Sequence, residues 1–402
     1  MSDHVRSVSE QQFYLPSSGF WSHLRVTGLA VGVLATIASA LLATRDAAQF
    51  YFSWLVAFLF FLSIGLGSLF FVLIHHATKA GWGVVVRRLA ENTAACLPVL
   101  LLLFVPIYLG RADLYHWTDA ETVAHDHLLE GKAAYLNVGG FVFRALVYFG
   151  LWSLLSLLFL RLSRRQDATG DDGLSRQMIR WSGPAILVFA LTLTFASFDW
   201  IMSLDPQWYS TMFGVYFFAG SVVSCFAFLC VLTLRLQDSG CLRGVLTLEH
   251  FHDLGKLLFA FTVFWAYIAF SQFFLIWYAN LPEETAYYFH RTQGSWLAAT
   301  RLLAVGHFVV PFFFLMPRSI KRRRPLLLLG AAWMLLMHWL DLYWLVMPNL
   351  HREGLHLSLL DATCFLAVGG IFLAALGGLL RSGALIPIRD PRLTESLSFE
   401  NF

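Results

Sequence analysis

Ten times along this chain an apolar run of about twenty residues recurs, the length a helix needs to cross the hydrocarbon core of a bilayer. The runs are Leu24–Thr44, Phe50–His75, Ala90–Leu109, Val138–Leu162, Pro184–Leu204, Met212–Leu236, Leu254–Ala279, Trp296–Met316, Pro325–Met347 and Leu360–Leu380. In lipid every backbone polar group must be bonded within its own segment, so runs of this length form helices. Charged residues make up 13% of the chain, about half the share of a soluble domain. The expected fold is an all-α integral membrane protein: a segment over residues 1–23, a ten-helix transmembrane domain over 24–380 and a tail over 381–402. No short apolar segment after a basic start suggests a signal peptide, so the first run is expected to stay as a span.

An even number of spans puts both termini on one side, and the basic residues say which. Arg6, Arg25, Lys79, Arg87, Arg88, Arg161, Arg164, Arg165, Arg176, Arg180, Arg235, Arg243, Lys256, Arg318, Lys321 to Arg324, Arg381, Arg389 and Arg392 fall on one side. Arg45, Arg111, Lys132, Arg291 and Arg352 fall on the other, roughly twenty against five, so both termini are expected in the cytoplasm. These basic loops are read as topology determinants and lipid contacts. The net charge of +3 gives no reason to expect nucleic acid. The five cysteines show neither metal-ligand spacing nor a disulfide framework.

The outer loop from Gly110 to Asn137 is acidic and amphipathic, and reads either as a surface helix or as a docking surface for an extracytoplasmic subunit. Its histidines, His116, His125 and His127, match no recognised metal spacing. The second and sixth runs share a texture, FSWLVAFLFFLSIG and STMFGVYFFAGSVV, a hint of two parallel four-helix repeats.

Ionisable residues inside spans carry the functional signal, because each must be compensated or used. Asp199 lies in an apolar run expected to end at Asp205, the residue before Pro206. It must be compensated by a partner, water, a bound proton or a function, or else is a buried polar residue that fixes helix packing; Arg144 and Arg301 are the counter-ions on offer. His338 and Asp341 sit at i and i+3 on one helix face and could pass a proton; a satisfied packing contact is the competing reading. His307 lies at a similar depth. At the inner surface EHFHDLGK concentrates acids and histidines, and His252 and Asp253 there form either a proton-entry group or a solvated helix start. Only His307 and His338 roughly match in depth, which argues against a b-type heme, and no cysteine cluster suits iron–sulfur. No redox cofactor and no metal are expected on this chain.

Two longer stretches, SFDWIMSLDPQWYSTMFGVYFFAG and HDLGKLLFAFTVFWAYIAFSQFFLIWYANLPEET, resemble the ActF-type membrane subunits of bacterial alternative complex III. These are similar to ActC and to the NrfD-like (polysulfide reductase membrane subunit) family. The resemblance covers nearly the whole chain and implies two four-helix bundles flanked by extra helices. It further implies a place in the bacterial inner membrane, within a quinol:electron-acceptor oxidoreductase. The expected partners are an ActC-like membrane subunit and subunits carrying iron–sulfur clusters and multiple c-type hemes, with menaquinone or another quinone as a possible cofactor. In that setting the chain conducts protons or acts as a scaffold, and Asp199, His307, His338, Asp341, His252 and Asp253 become candidates for a proton path. Direct quinol binding, with Asp199 and Arg301 lining a pocket, is the alternative. A secondary transporter would call for helices broken at mid-membrane, for which the glycine pairs Gly65/Gly67 and Gly369/Gly370 give thin support.

Overall fold

A computed structural model describes residues 10–401, so Arg6 and Phe402 lie outside the described residues. The described chain is helical and holds ten helices long and apolar enough to cross a membrane. They are α1 (Phe20–Ala43), α2 (Ala47–Ala77), α3 (Val84–Leu109), α4 (Val138–Thr169), α5 (Asp172–Leu204), α6 (Phe213–Asp238), α7 (Leu248–Ala279), α8 (Trp296–Leu315), α9 (Arg324–Asn349) and α10 (Leu359–Arg381).

Helices α2 to α5 pack as one four-helix bundle and α6 to α9 as a second, joined along the α2–α6 seam. The most apolar stretch of α2 is 89% buried, whereas that of α1 is 17% buried. Helix α2 is therefore the axis of the molecule, and α1 lies at its periphery. The flanking pair is α1 and α10, which pack together along their length. Small residues permit that approach: a Cβ on Gly28 would lie 2.9 Å from the Gly370 carbonyl oxygen, and one on Gly370 would lie 2.5 Å from the Gly32 nitrogen. Close backbone contact of this kind is how helices associate where no hydrophobic force separates them from lipid.

Several helices outrun their apolar stretches. Helix α5 begins at Asp172, capped by the Asp171 side chain on the Gly173 N–H, and Pro184 lies inside it rather than at its start. Hydropathy marks the membrane, while capping marks the helix end, and here the two differ by three turns. At its other end the α-helical part of α5 closes at Trp200 and a 3-10 turn, Met202–Leu204, carries the span to its expected stop at Asp205. The freed carbonyls explain this. Ser203 Oγ donates to the Asp199 carbonyl (2.5 Å) and Tyr115 Oη to that of Trp200 (3.1 Å).

The basic loops differ from their expected role. Arg87 and Arg88 are fully buried, in ion pairs with Glu91, Asp390 and Asp167. Lys321 is buried with its Nζ on the carbonyls of Leu315 (2.5 Å) and Met316 (2.8 Å), closing the end of α8. Arg322 pairs with Glu249 at 2.6 Å, and Arg324 pairs with Asp238. These cations also pin helix ends together.

Candidate functional site

The second bundle brings together a buried group of two histidines and an aspartate. His338 and Asp341 project from α9 into the seam with α6 and α7, and His307 reaches them from α8. One ligand atom from each of the three lies within 4.8 Å of the others. His307 is 0% exposed, and His338 and Asp341 are 1% exposed. A π-helical turn, Ala304–Val309, places His307 there. Such turns bulge a helix and recur at functional sites. Trp333 Nε1 takes the Gly306 carbonyl at 2.7 Å and holds the bulge open.

Asp341 accepts from the Tyr216 hydroxyl on one oxygen and from Trp265 Nε1 (3.1 Å) on the other. No lysine or arginine pairs with it among the described residues. Its charge is therefore compensated by two neutral donors, and gaining or losing a proton breaks no ion pair. His338 Nε2 lies 2.8 Å from Ser63 Oγ on α2, and Ser63 itself donates to the Phe60 carbonyl at 2.7 Å. The hydroxyl proton is thereby used, so Ser63 accepts from an Nε2–H. His338 Nδ1 and both ring nitrogens of His307 are buried without a partner. The His307 ring lies against Trp265, with centroids 3.7 Å apart. Gly220 on α6 makes room, since a Cβ there would come within 3.0 Å of His338 Cε1. Chemically this is an imidazole with one nitrogen fixed and the other free beside a carboxyl, an arrangement that can take a proton on one side and release it on the other. Three such ligands are also the number that a divalent ion accepts from a protein at an open site.

Asp199 belongs to the first bundle and to a different arrangement. Arg144 grips it with two hydrogen bonds, Nε to Oδ2 (2.8 Å) and Nη2 to Oδ1 (2.9 Å), and the Tyr148 hydroxyl adds a third at 2.8 Å. Of the two counter-ions on offer in the sequence, the structure pairs Arg144. Arg301 is exposed on α8 and does not reach Asp199. The Tyr135 ring lies under the Arg144 guanidinium at 3.9 Å. Beside this pair is a pocket of about 420 Å³ lined by Lys132, Tyr135, Phe198, Ser203 and Trp208. The Tyr135 hydroxyl lies beside Asp199 and Tyr148, and burial pushes it well above its usual range, with the Asp199 charge adding to the shift.

His252 and Asp253 sit in the first turns of α7, buried, with Asp253 paired to Lys256. Thr247 and His250 close that helix start with a capping box. Asp253 and Trp265 are twelve residues apart, roughly 18 Å along the helix at 1.5 Å per residue. Side chains alone do not bridge that distance.

In the outer loop His116, His125 and His127 are exposed and sit on separate short helices, while Leu114, Trp117 and Leu129 anchor the loop to the core. Asp361 caps α10 and accepts from Ser53 Oγ at 2.6 Å.

No protein-family model matches this chain, and no curated protein matches it.

Partners that sequence reasoning missed are Tyr216, Trp265 and Ser63 for the α9 cluster and Tyr148 and Tyr135 for Asp199. Ser63 is 275 residues from His338 and Tyr216 is 125 from Asp341, so no local pattern joins them.

Proposed function

We propose that this chain is an ActF-type membrane subunit of a bacterial alternative complex III, supplying a proton relay through its second bundle. The observation behind this reading is the cluster of His307, His338 and Asp341, held between helices with free nitrogens and no counter-ion. The two sequence stretches quoted above support the assignment to that complex, since SFDWIMSLDPQWYSTMFGVYFFAG supplies Tyr216 and the second stretch supplies Trp265. In this reading Asp341 stores the proton and His338 takes it on Nδ1, releasing the Nε2 proton to Ser63, whose own hydroxyl proton turns from the Phe60 carbonyl to Ser224 Oγ at 3.2 Å and on to water. Water fills the distance between the cluster and the entry groups His252 and Asp253. Quinol oxidation, heme c and the iron–sulfur clusters belong to partner subunits, with the quinol-oxidising site on an ActC-like neighbour.

The test is the purified complex in sealed liposomes, with quinol oxidation and interior pH followed together. Asp341→Asn keeps the shape of the site and an acceptor oxygen for Trp265 Nε1, lets the Tyr216 hydroxyl turn to accept from the amide, and removes the titrating proton. Proton movement per electron is expected to fall while quinol oxidation continues. Unchanged proton movement in both Asp341→Asn and His338→Gln would leave a scaffold role in front. Stoichiometric zinc in the wild-type chain, lost in His338→Gln, would replace the relay by a metal site.

A second reading rests on the pocket beside Asp199. Its volume of about 420 Å³ lies within the range of small-molecule sites, and Tyr135 lines it beside Asp199. There the chain would bind quinol directly, and Tyr135→Phe would raise the KM for quinol.

A further inference from the structure

Between the flanking pair and the second bundle lies a long apolar groove of about 1100 Å³. Helices α1 and α10 pack on one flank of α2, and α6 and α9 pack on the other. The floor is α2 itself, through Phe60, Phe61 and Ile64. The Phe228 and Phe372 rings face each other across the groove with centroids 6.3 Å apart. At one mouth Trp21 Nε1 donates to Ser239 Oγ at 2.7 Å.

Along α10 the lining runs from Asp361 to Leu376. That stretch covers about 22 Å at 1.5 Å per residue, more than the ~15 Å that one leaflet contributes to the hydrocarbon core. Spread over that length the volume gives a cross-section of about 50 Å², whereas a helix roughly 10–12 Å across needs about 80–110 Å². The groove therefore suits hydrocarbon chains better than a further helix.

Its two ends differ in charge. At one end the polar lining is Ser358 and Asp361, and the Asp361 carboxylate is taken by Ser53 Oγ and the Ser358 N–H. At the other end Arg235 and Asp238 line the mouth. Asp238 is shared by two guanidiniums, Arg235 at 3.7 Å and Arg324, which keep 58% and 39% of their side chains exposed. Beside them the exposed Arg243 donates from Nε to the Gln237 carbonyl at 3.4 Å. Three cations thus stand at this end against the one carboxylate of Asp238.

Basic pockets between spans take anionic lipid headgroups. We propose that this groove binds one anionic phospholipid, its phosphate on Arg235 and Arg243 and its acyl chains along Phe60, Phe61 and Phe365. The Asp361 end is lined by no lysine or arginine, so the charges also set which way the lipid points. The lipid belongs to the leaflet that the basic-residue asymmetry predicts to be cytoplasmic.

The test uses the full chain purified in mild detergent, with bound lipid read by native mass spectrometry. One phospholipid per chain, with a net negative headgroup, is expected to stay bound. After delipidation, dioleoyl phosphatidylglycerol is expected to raise the melting temperature more than dioleoyl phosphatidylethanolamine, which has the same chains and no net charge. Arg235→Gln with Arg243→Gln, both at exposed positions, is expected to cut that headgroup preference about tenfold. Ala362→Trp, at an exposed position in the groove wall, is expected to release phospholipid of either headgroup. No preference between the two headgroups in the wild-type chain would overturn the site whatever the variants do. An undiminished preference in the double variant, or undiminished lipid in Ala362→Trp, would overturn it as well. A photoreactive side chain at Leu336 that cross-links to protein in native membranes would give the groove to a partner's helix instead; cross-linking to lipid is expected.

Discussion

Asp199 and Asp341 look alike in the sequence, each a lone carboxylate in an apolar run, but their surroundings give them different chemistry. Asp199 is locked by a two-pronged guanidinium and a tyrosine hydroxyl. Asp341 is held by neutral donors only. Removing one member of a buried pair leaves the other charge uncompensated, at a cost of about 3–5 kcal/mol when both are deeply buried. Arg144 keeps a partly exposed side chain, so the lower end of that range applies. Asp199→Asn is therefore expected to reduce the amount of folded protein in the membrane, and Arg144→Gln together with Asp199→Asn to restore much of it. Both are read as the protein recovered per cell and its melting temperature. Equal recovery of Asp199→Asn and wild type would show that the pair holds nothing together. At Asp341 the expected order is reversed: Asp341→Asn folds normally and loses proton movement.

At the scale of elements, the outer loop between α3 and α4 shows how local chemistry builds structure outside the membrane. The Asp119 carboxylate caps the helix Ala120–His125, and Asp126 caps His127–Lys132. Bonds from the Thr122 hydroxyl and the Thr122 and Glu121 N–H groups hold Asp119 below the usual carboxylate range. The N–H groups of Leu128 and Leu129 do the same for Asp126. A carboxylate lowered in the folded state contributes stability that is present above its ordinary value of about 4 and is lost as pH falls through the folded value. These two short helices are thus expected to loosen below about pH 4, well before the spans. Amide exchange in residues 119–132 that does not quicken on acidification relative to the spans would reject this. The π turn in α8 belongs to the same scale. It rotates His307 into the seam, where a regular helix would set its side chain at a different angle.

On the scale of the whole molecule, two bundles share the α2–α6 seam and a flanking pair closes one side. Ten spans would place both termini on one side, and the basic-residue asymmetry predicts that this side is the cytoplasm. A fusion after Phe402 is expected to react only with reagents admitted to the cytoplasm, and a tag within 110–137 only with reagents outside. Finding both tags on one side would break this topology. The buried ion cluster of Arg87, Arg88, Glu91, Asp167 and Asp390 joins α3, α4 and the C-terminal segment, so that segment is part of the packed molecule and not a loose tail.

Number and order of the spans were legible in the sequence, because hydropathy over about twenty residues is a local property and lipid enforces it. The pairing of His338 with Asp341 was legible for the same reason, since i and i+3 share a helix face. The choice of Arg144 over Arg301 was not, because it depends on which helices touch. Nor were the roles of Arg87, Arg88 and Lys321 visible: a basic residue beside an apolar run reads as a loop charge until another helix end arrives with its carboxylate or carbonyls. What turns scattered histidines and acids into sites is the meeting of residues a hundred or more positions apart, and only tertiary packing decides that.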